Sequence, residues 1–384
     1  MPLPLYHSIG EHAQRQITHT EAHQGLWFER FFDKYDEDYQ VKDKPNSTAI
    51  KDNPKSQFIQ GITGNCGNKE ALQQSYFRQS ALLAACKGRS VTLQAEWHFA
   101  TGLGNPHPVE NGFLFHPTLA APYLPGSSVK GLVRSWLEQQ LGTDLEAKAL
   151  FYRLFGSEDK DPTKCELDFN SGDVIFFDAL PVMPASLVLD IMTPHLGGWY
   201  EKGGTKDASE AANQPADWHD PVPVPFLAAQ DVVLMFSFAP RKGSDDQDLL
   251  MQLVEKALKD ALYYAGAGAK TAAGYGGFKP LDDKKKRQLN DMQQKGEQAG
   301  LSEEQKLLAT IAGFLTRSTE LINKTTRKKL ATAIRQLKKD WRDWPEADQI
   351  KANQFILEKL IPFVDSEDCP EGIKDEILKV QKTL

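Results

Sequence analysis

Three cations and two glycine-containing turns are the residues of this chain whose types and spacing could do chemistry. The stretch Gly266-Ala267-Gly268-Ala269-Lys270-Thr271-Ala272-Ala273-Gly274-Tyr275-Gly276 surrounds one lysine and one tyrosine with glycines. Glycine has no Cβ to keep an anion off the backbone N–H groups, and its freedom at positive φ lets successive N–H groups point into one concavity. Gly266, Gly268, Gly274 and Gly276 would supply the cradle, Lys270 and Thr271 its charge and hydroxyl, and Tyr275 a stacking face. A second stretch, Pro125-Gly126-Ser127-Ser128-Val129-Lys130-Gly131-Leu132-Val133-Arg134, reads as a Pro-Gly turn and a serine cap opening a helix. Lys130 and Arg134 are four residues apart and share a face away from the apolar positions. Lys130 falls in the first turn, where the helix dipole disfavours a cation, a position that suits a phosphate bound at the helix start. The same residues also fit an ordinary turn and a solvated helix face.

Other chemistries fail on spacing. A nucleotide-binding loop needs GxxxxGK[ST] opening a helix, whereas Ala269 precedes Lys270 and the glycine stretch follows a helix pattern. Ser127 and Lys130 have the SxxK spacing of an acylating serine, but the companion SDN and KTG motifs are absent. His12, His19 and His23 could share a helical face, yet no carboxylate or cysteine completes a ligand set, so no metal or cofactor site is expected. His107 and His116 lie beside prolines in loops and read as structural.

The elements that must position these residues follow from periodicity. Strands are expected over 91–99, 173–179, 187–192, 231–239 and 275–279, and helices over 128–141 and 247–264. Setting 187–192 aside as an extra strand, the order is βαββαβ, which makes the fold class α+β and ferredoxin-like, the arrangement also used by RNA-recognition modules. Residues 1–88 form a mostly helical or irregular N-terminal segment, 89–280 the central domain with a polar insertion at 193–225, and 281–384 a helical C-terminal extension. Between 284 and 344, 15 Lys plus Arg stand against 7 Asp plus Glu, in a chain whose formal net charge is −7. That acidic total argues against nonspecific coating of nucleic acid, though it leaves room for a local basic groove. The four cysteines are scattered singly, and no charged-then-apolar leader or long apolar run is present, so a reduced, cytoplasmic protein without membrane association is expected.

Three motifs carry a family resemblance. Pro125 to Arg134 resembles the PGSSLKGxxR motif of the RAMP proteins of CRISPR systems, with Val129 in place of leucine, and Gly266 to Gly276 resembles their C-terminal glycine-rich loop. Asp190-Ile191-Met192-Thr193-Pro194-His195, with Tyr200 beyond, is similar to the D-x-x-TPH-x-x-x-x-Y pattern of the sixth-subunit branch in Cmr, type III-B, effectors. The resemblance covers about residues 85–280. It implies a non-catalytic subunit that caps a filament of related subunits and holds guide RNA near its 3′ part. The implied partners are guide RNA, target RNA and other RAMP and small subunits. The expected RNA-binding residues are Ser127, Ser128, Lys130, Arg134, Gly266, Gly268, Lys270, Thr271, Gly274, Tyr275 and Gly276. The alternative is an endoribonuclease, for which Asp190 and His195, with Asp178 and His98, are the available acid–base groups.

Overall fold

A computed structural model describes residues 23–42, 52–141, 144–156, 171–196, 199–200, 214–216, 219, 221–241, 246–299, 302–316, 323–366 and 369–382. His12, His19, Cys165 and most of the 193–225 insertion lie outside the described residues. The chain divides into two compact units, one ending at Asp282 and one running from Asp283 to the end.

In the first unit, helices α1 (Gln24–Arg30) and α2 (Pro54–Gly61) precede strand β1 (Gly64–Cys66) and helix α3 (Lys69–Ala85). Then come β2 (Arg89–Ala95), the two-residue strands β3 (Pro106–His107) and β4 (Glu110–Asn111), and helices α4 (Gly126–Gln140) and α5 (Leu145–Phe155). β5 (Val174–Phe176), β6 (Leu180–Pro181), β7 (Ala185–Met192), β8 (Val224–Gln230) and β9 (Val233–Pro240) follow, and α6 (Gln247–Tyr264) leads through the glycine loop to β10 (Phe278–Pro280). The main sheet has the order β10-β2-β9-β5, with β6 also on β9, and each described pairing is antiparallel. β9 is buried along its whole length, as its apolar run, broken only by Ser237, requires. Val129 and Val133 of α4 and Leu250, Val254, Leu258 and Leu262 of α6 form one core with Leu93, Leu234, Phe236 and Phe238 of the sheet. Their i, i+3, i+4 spacing puts them on the helix face turned to the strands. Phe28, Phe58 and Ile59 of the N-terminal helices join the same core, and the His107 ring stacks on Phe28 with centroids 4.0 Å apart.

A second antiparallel sheet has the order β1-β7-β8. The expected extra strand, β7, belongs here, opposite a strand the periodicity missed. β8 contains Pro225, which reads as a breaker, but β8 lies at the sheet edge, where a missing N–H costs no ladder bond. The strand expected over 91–99 ends at Ala95 because the chain then changes sheets. Glu96 N–H donates to the Gly277 carbonyl, whereas Phe99 exchanges backbone hydrogen bonds with Ala229 of β8. Trp97 and His98 sit at this crossing.

The expected serine cap of α4 is absent. Pro125 occupies the cap position without a side-chain bond, and Ser127 and Ser128 are exposed in the first turn. Asp178 takes over, its Oδ1 accepting the Gly126 N–H at 2.7 Å. A remote carboxylate thus meets both the unpaired donor and the positive end of the helix dipole.

The second unit consists of helices α7 (Asp283–Ala299), α8 (Glu303–Thr316), α9 (Lys324–Asp340), α10 (Glu346–Phe355), α11 (Ile361–Val364) and α12 (Glu371–Gln381), with a π-helical stretch, Ile356–Leu360, joining α10 to α11. Its own core contains Ile311, Leu330, Ile334, Leu337, Trp341, Ile356, Leu360, Ile373, Ile377 and Val380. Among the described residues, no helix is long and apolar enough to cross a membrane.

Candidate functional site

The two glycine-containing motifs meet in one cleft of about 480 Å³. Ser128 and Leu132 of α4 form one wall, Gly266, Ala267, Gly268, Ala269 and Thr271 another, and Thr101 to Gly104, after the sheet crossing, a third. The glycine loop is held by backbone bonds: Ala267 N–H to Gly276 O at 2.8 Å, Ala269 N–H to Ala100 O at 2.7 Å, and Gly276 N–H to His98 O at 2.8 Å. These contacts leave no room for side chains. A Cβ on Gly268 would stand 2.3 Å from the Ala100 carbonyl oxygen, and one on Gly276 only 1.9 Å from that of Ala267, both at positive φ. Much of the expected cradle is therefore spent on holding its own shape. The N–H groups of Gly268, Lys270, Thr271 and Ala272 have no backbone partner among the described residues and are the ones available to an anion.

Lys270 itself has left-handed backbone geometry, φ 59°. Its Nζ lies 5.2 Å from the centre of the Phe226 ring and 5.9 Å from that of Tyr275, so both rings fix the ammonium beside the loop. Tyr275 is not the exposed stacking face expected of it: the residue is 5% exposed, and its hydroxyl donates to Asp190 Oδ2 at 2.5 Å. The exposed ring nearby is Trp97, which is 51% exposed and stacks one face on His98 at 4.2 Å.

Asp190 of β7 ties these pieces together. Oδ2 also meets His98 Nδ1 at 2.8 Å, and Oδ1 accepts the Ile191 N–H at 2.7 Å. The other ring nitrogen of His98 meets the Gln230 side-chain amide at 2.5 Å. Partial burial acts to raise the Asp190 pKa, but the hydrogen bonds from Tyr275, Ile191 and His98 outweigh it and hold the carboxyl below its ordinary range. Burial first, then the hydrogen bond to Asp190 and its negative charge, push the Tyr275 phenol above its usual value. A neutral phenol and an ionised carboxylate are the mutually consistent states.

The remaining predicted residues are placed elsewhere. Lys130 Nζ donates to the Phe155 carbonyl at 2.8 Å, at the end of α5, and the Arg134 guanidinium lies 5.6 Å over the Phe151 ring. Both cations thus face α5, while Ser128, two residues before Lys130, faces the cleft. Gly274 is exposed at the loop tip, and Ser127 is exposed in the first turn of α4. His195 is exposed past the end of β7, and no hydrogen bond joins it to Asp190. Asp178 is the α4 cap. Trp97, Phe226 and Gln230 belong to no motif, because they come from one strand, β8, and a crossing that only pairing brings together. The apolar alternation that ends at Trp97-His98-Phe99 was the one available signal.

The RAMP superfamily model matches residues 91–279. The chain is 26% identical over 257 residues to the CRISPR system Cmr subunit Cmr6 of Pyrococcus furiosus, covering 54% of this chain and 72% of that protein. It is 33% identical over 109 residues to the CRISPR system CMR subunit Cmr6 of Saccharolobus solfataricus, covering 28% of this chain and 31% of that one. Among solved structures, a chain of the type III-B Cmr-beta complex bound to cognate target RNA aligns with a TM-score of 0.46 at 20% identity, covering 72% of this chain and 94% of its own length. The matched span runs from β2 to β10 and contains all three walls of the cleft together with Asp190, so this part of the chain belongs to the RAMP superfamily.

Proposed function

We propose that this chain is a non-catalytic, RNA-binding subunit of a type III-B Cmr ribonucleoprotein, holding guide RNA near its 3′ part and capping a filament of related subunits. The observation that carries the reading is the single cleft into which α4 and the glycine loop both open. Ser128 and the unspent N–H groups of Gly268 and Thr271 at the cleft, with the N–H groups of Lys270 and Ala272 and the Lys270 ammonium on the same loop, suit a phosphate backbone. The exposed Trp97, its ring 5.0 Å from that of Tyr275, suits a stacked base, and charge plus stacking is the combination by which single strands are held without sequence readout. Similarity to two Cmr6 subunits supports the choice of complex. The order β2-α4-β5-β9-α6-β10, with β10-β2-β9-β5 across the sheet, supports the ferredoxin-like assignment within the family.

The non-catalytic part rests on the Asp190 cluster. Both ring nitrogens of His98 and both carboxylate oxygens of Asp190 are engaged within the protein, so neither group is free to take or give a substrate proton. The test is the complex assembled with wild-type or Lys270→Ala chain. Retained guide RNA should fall several-fold in the variant while the isolated chain keeps its melting temperature, and equal RNA content would overturn the clamp. Incubation of the chain with RNA, with and without magnesium, should leave the RNA intact. Specific cleavage lost in Asp190→Ala would establish the nuclease instead.

A further inference from the structure

Helix α9 carries seven cations, Lys324, Arg327, Lys328, Lys329, Arg335, Lys338 and Lys339, and its one acid, Asp340, is its last residue. At about 100° per residue, Lys324, Arg327, Lys328, Arg335, Lys338 and Lys339 fall within an arc of roughly 120°, and Asp340 lies outside it. Leu330, Ala333, Ile334 and Leu337 point the other way and are buried in the helical core, which fixes the orientation of the charged face. The stripe runs about 25 Å along the helix. Arg335 is partly neutralised by Glu376 at 3.0 Å, an acid also shared with Lys379 at 3.3 Å. Among the described residues, no ion pair takes up Lys324, Lys328 or Lys339, all exposed.

Like charges on one rigid face repel each other and lower the stability of the isolated helix. Solvation alone calls for charge, not for one sign of it, and the rest of the chain is acidic enough to bring the total to −7. A polyanion with regularly repeated charge is the partner that this face complements. We propose that the Lys324–Lys339 face of α9 is a second nucleic-acid surface, separate from the glycine-loop cleft, that holds the phosphate backbone of single-stranded RNA. The choice of RNA as the polyanion rests on the function proposed above; the surface itself rests on α9.

The full chain is titrated into a short labelled single-stranded RNA across a salt series, read by fluorescence anisotropy. The variant K324Q/K328Q/K339Q should bind about tenfold more weakly at low salt, and its log–log salt slope should shrink by about 2, since each phosphate contact on a single strand contributes roughly 0.7. Its helical circular dichroism should be unchanged, and the arginine counterpart K324R/K328R/K339R should restore both affinity and slope. Lys270→Ala is measured in parallel. Loss of binding in Lys270→Ala with wild-type affinity and slope in the glutamine variant overturns the α9 surface. The reverse pattern supports it and removes the cleft. No binding by the wild-type chain overturns both.

Discussion

Asp190 gathers Tyr275, His98 and the Ile191 N–H around one carboxylate and so joins the second sheet, the sheet crossing and the glycine loop. Its pKa is held below the ordinary value near 4, which means the ionised form is favoured by folding. The stabilisation is therefore complete at neutral pH and disappears as pH falls through the lowered folded-state pKa. Asp190→Asn should lower the melting temperature at pH 7, with the gap to wild type closing in acid; a gap that persists in acid would remove the charge from the account. Tyr275 runs the other way. Its raised pKa makes the neutral phenol the folded form, so stability should start to fall as pH climbs past about 10, where the unfolded chain ionises first. Tyr275→Phe should cost about 0.5–1.5 kcal/mol and flatten that alkaline decline, as read by thermal melts across pH. The glycines supply a sharper contrast. Gly276→Ala would put a Cβ 1.9 Å from a carbonyl oxygen and should cost at least about 3 kcal/mol, whereas the open site at Gly274 should lose only about 1–2 kcal/mol to its left-handed backbone. Comparable denaturant midpoints for the two variants would show that the loop is looser than its geometry implies.

At the scale of elements, α4 owes its start to a residue far along the chain. Asp178 accepts the Gly126 N–H, while the nearby Ser127 and Ser128 make no cap. Asp178→Ala should destabilise the protein by about 1 kcal/mol, and Ser127→Ala should stay within about 0.5 kcal/mol of wild type. A larger loss for the serine in chemical denaturation would restore the local cap. The arrangement also leaves Ser128 exposed to the cleft, with Lys130 and Arg134 committed to α5. The motif thus presents Ser128 to the cleft, while its cations hold α4 against α5.

At the scale of the molecule, two separate cores divide the work of stability. Phe236, Phe238 and Leu258 belong to the mixed unit, Ile334, Leu337 and Ile377 to the helical one. Leu337 is fully buried, so Leu337→Ala should cost the helical unit about 2–5 kcal/mol. Because its contacts lie in the second core, the melting transition of the unit ending at Asp282 should hold its position. Calorimetry showing both transitions shifted equally would make the chain one cooperative block.

Periodicity was enough to draw α6 at Gln247–Tyr264 and to find β2, β9 and their helices in the correct order, because each buries one face at a fixed repeat. Residues of two of the three walls of the cleft were legible as well, since glycine at a backbone crossing and serine in an exposed first turn leave marks in composition. Which residues do the remaining work was decided only in three dimensions. Tyr275 is buried rather than stacked outward because Asp190, on another sheet, accepts its hydroxyl proton in a hydrogen bond. Trp97 is exposed because the chain switches sheets after Ala95, a turn set by pairing with Gly277 on one side and Ala229 on the other. Local sequence encodes the period and the turn; which partner a side chain meets at the end of its strand is a long-range choice, and that choice made the site.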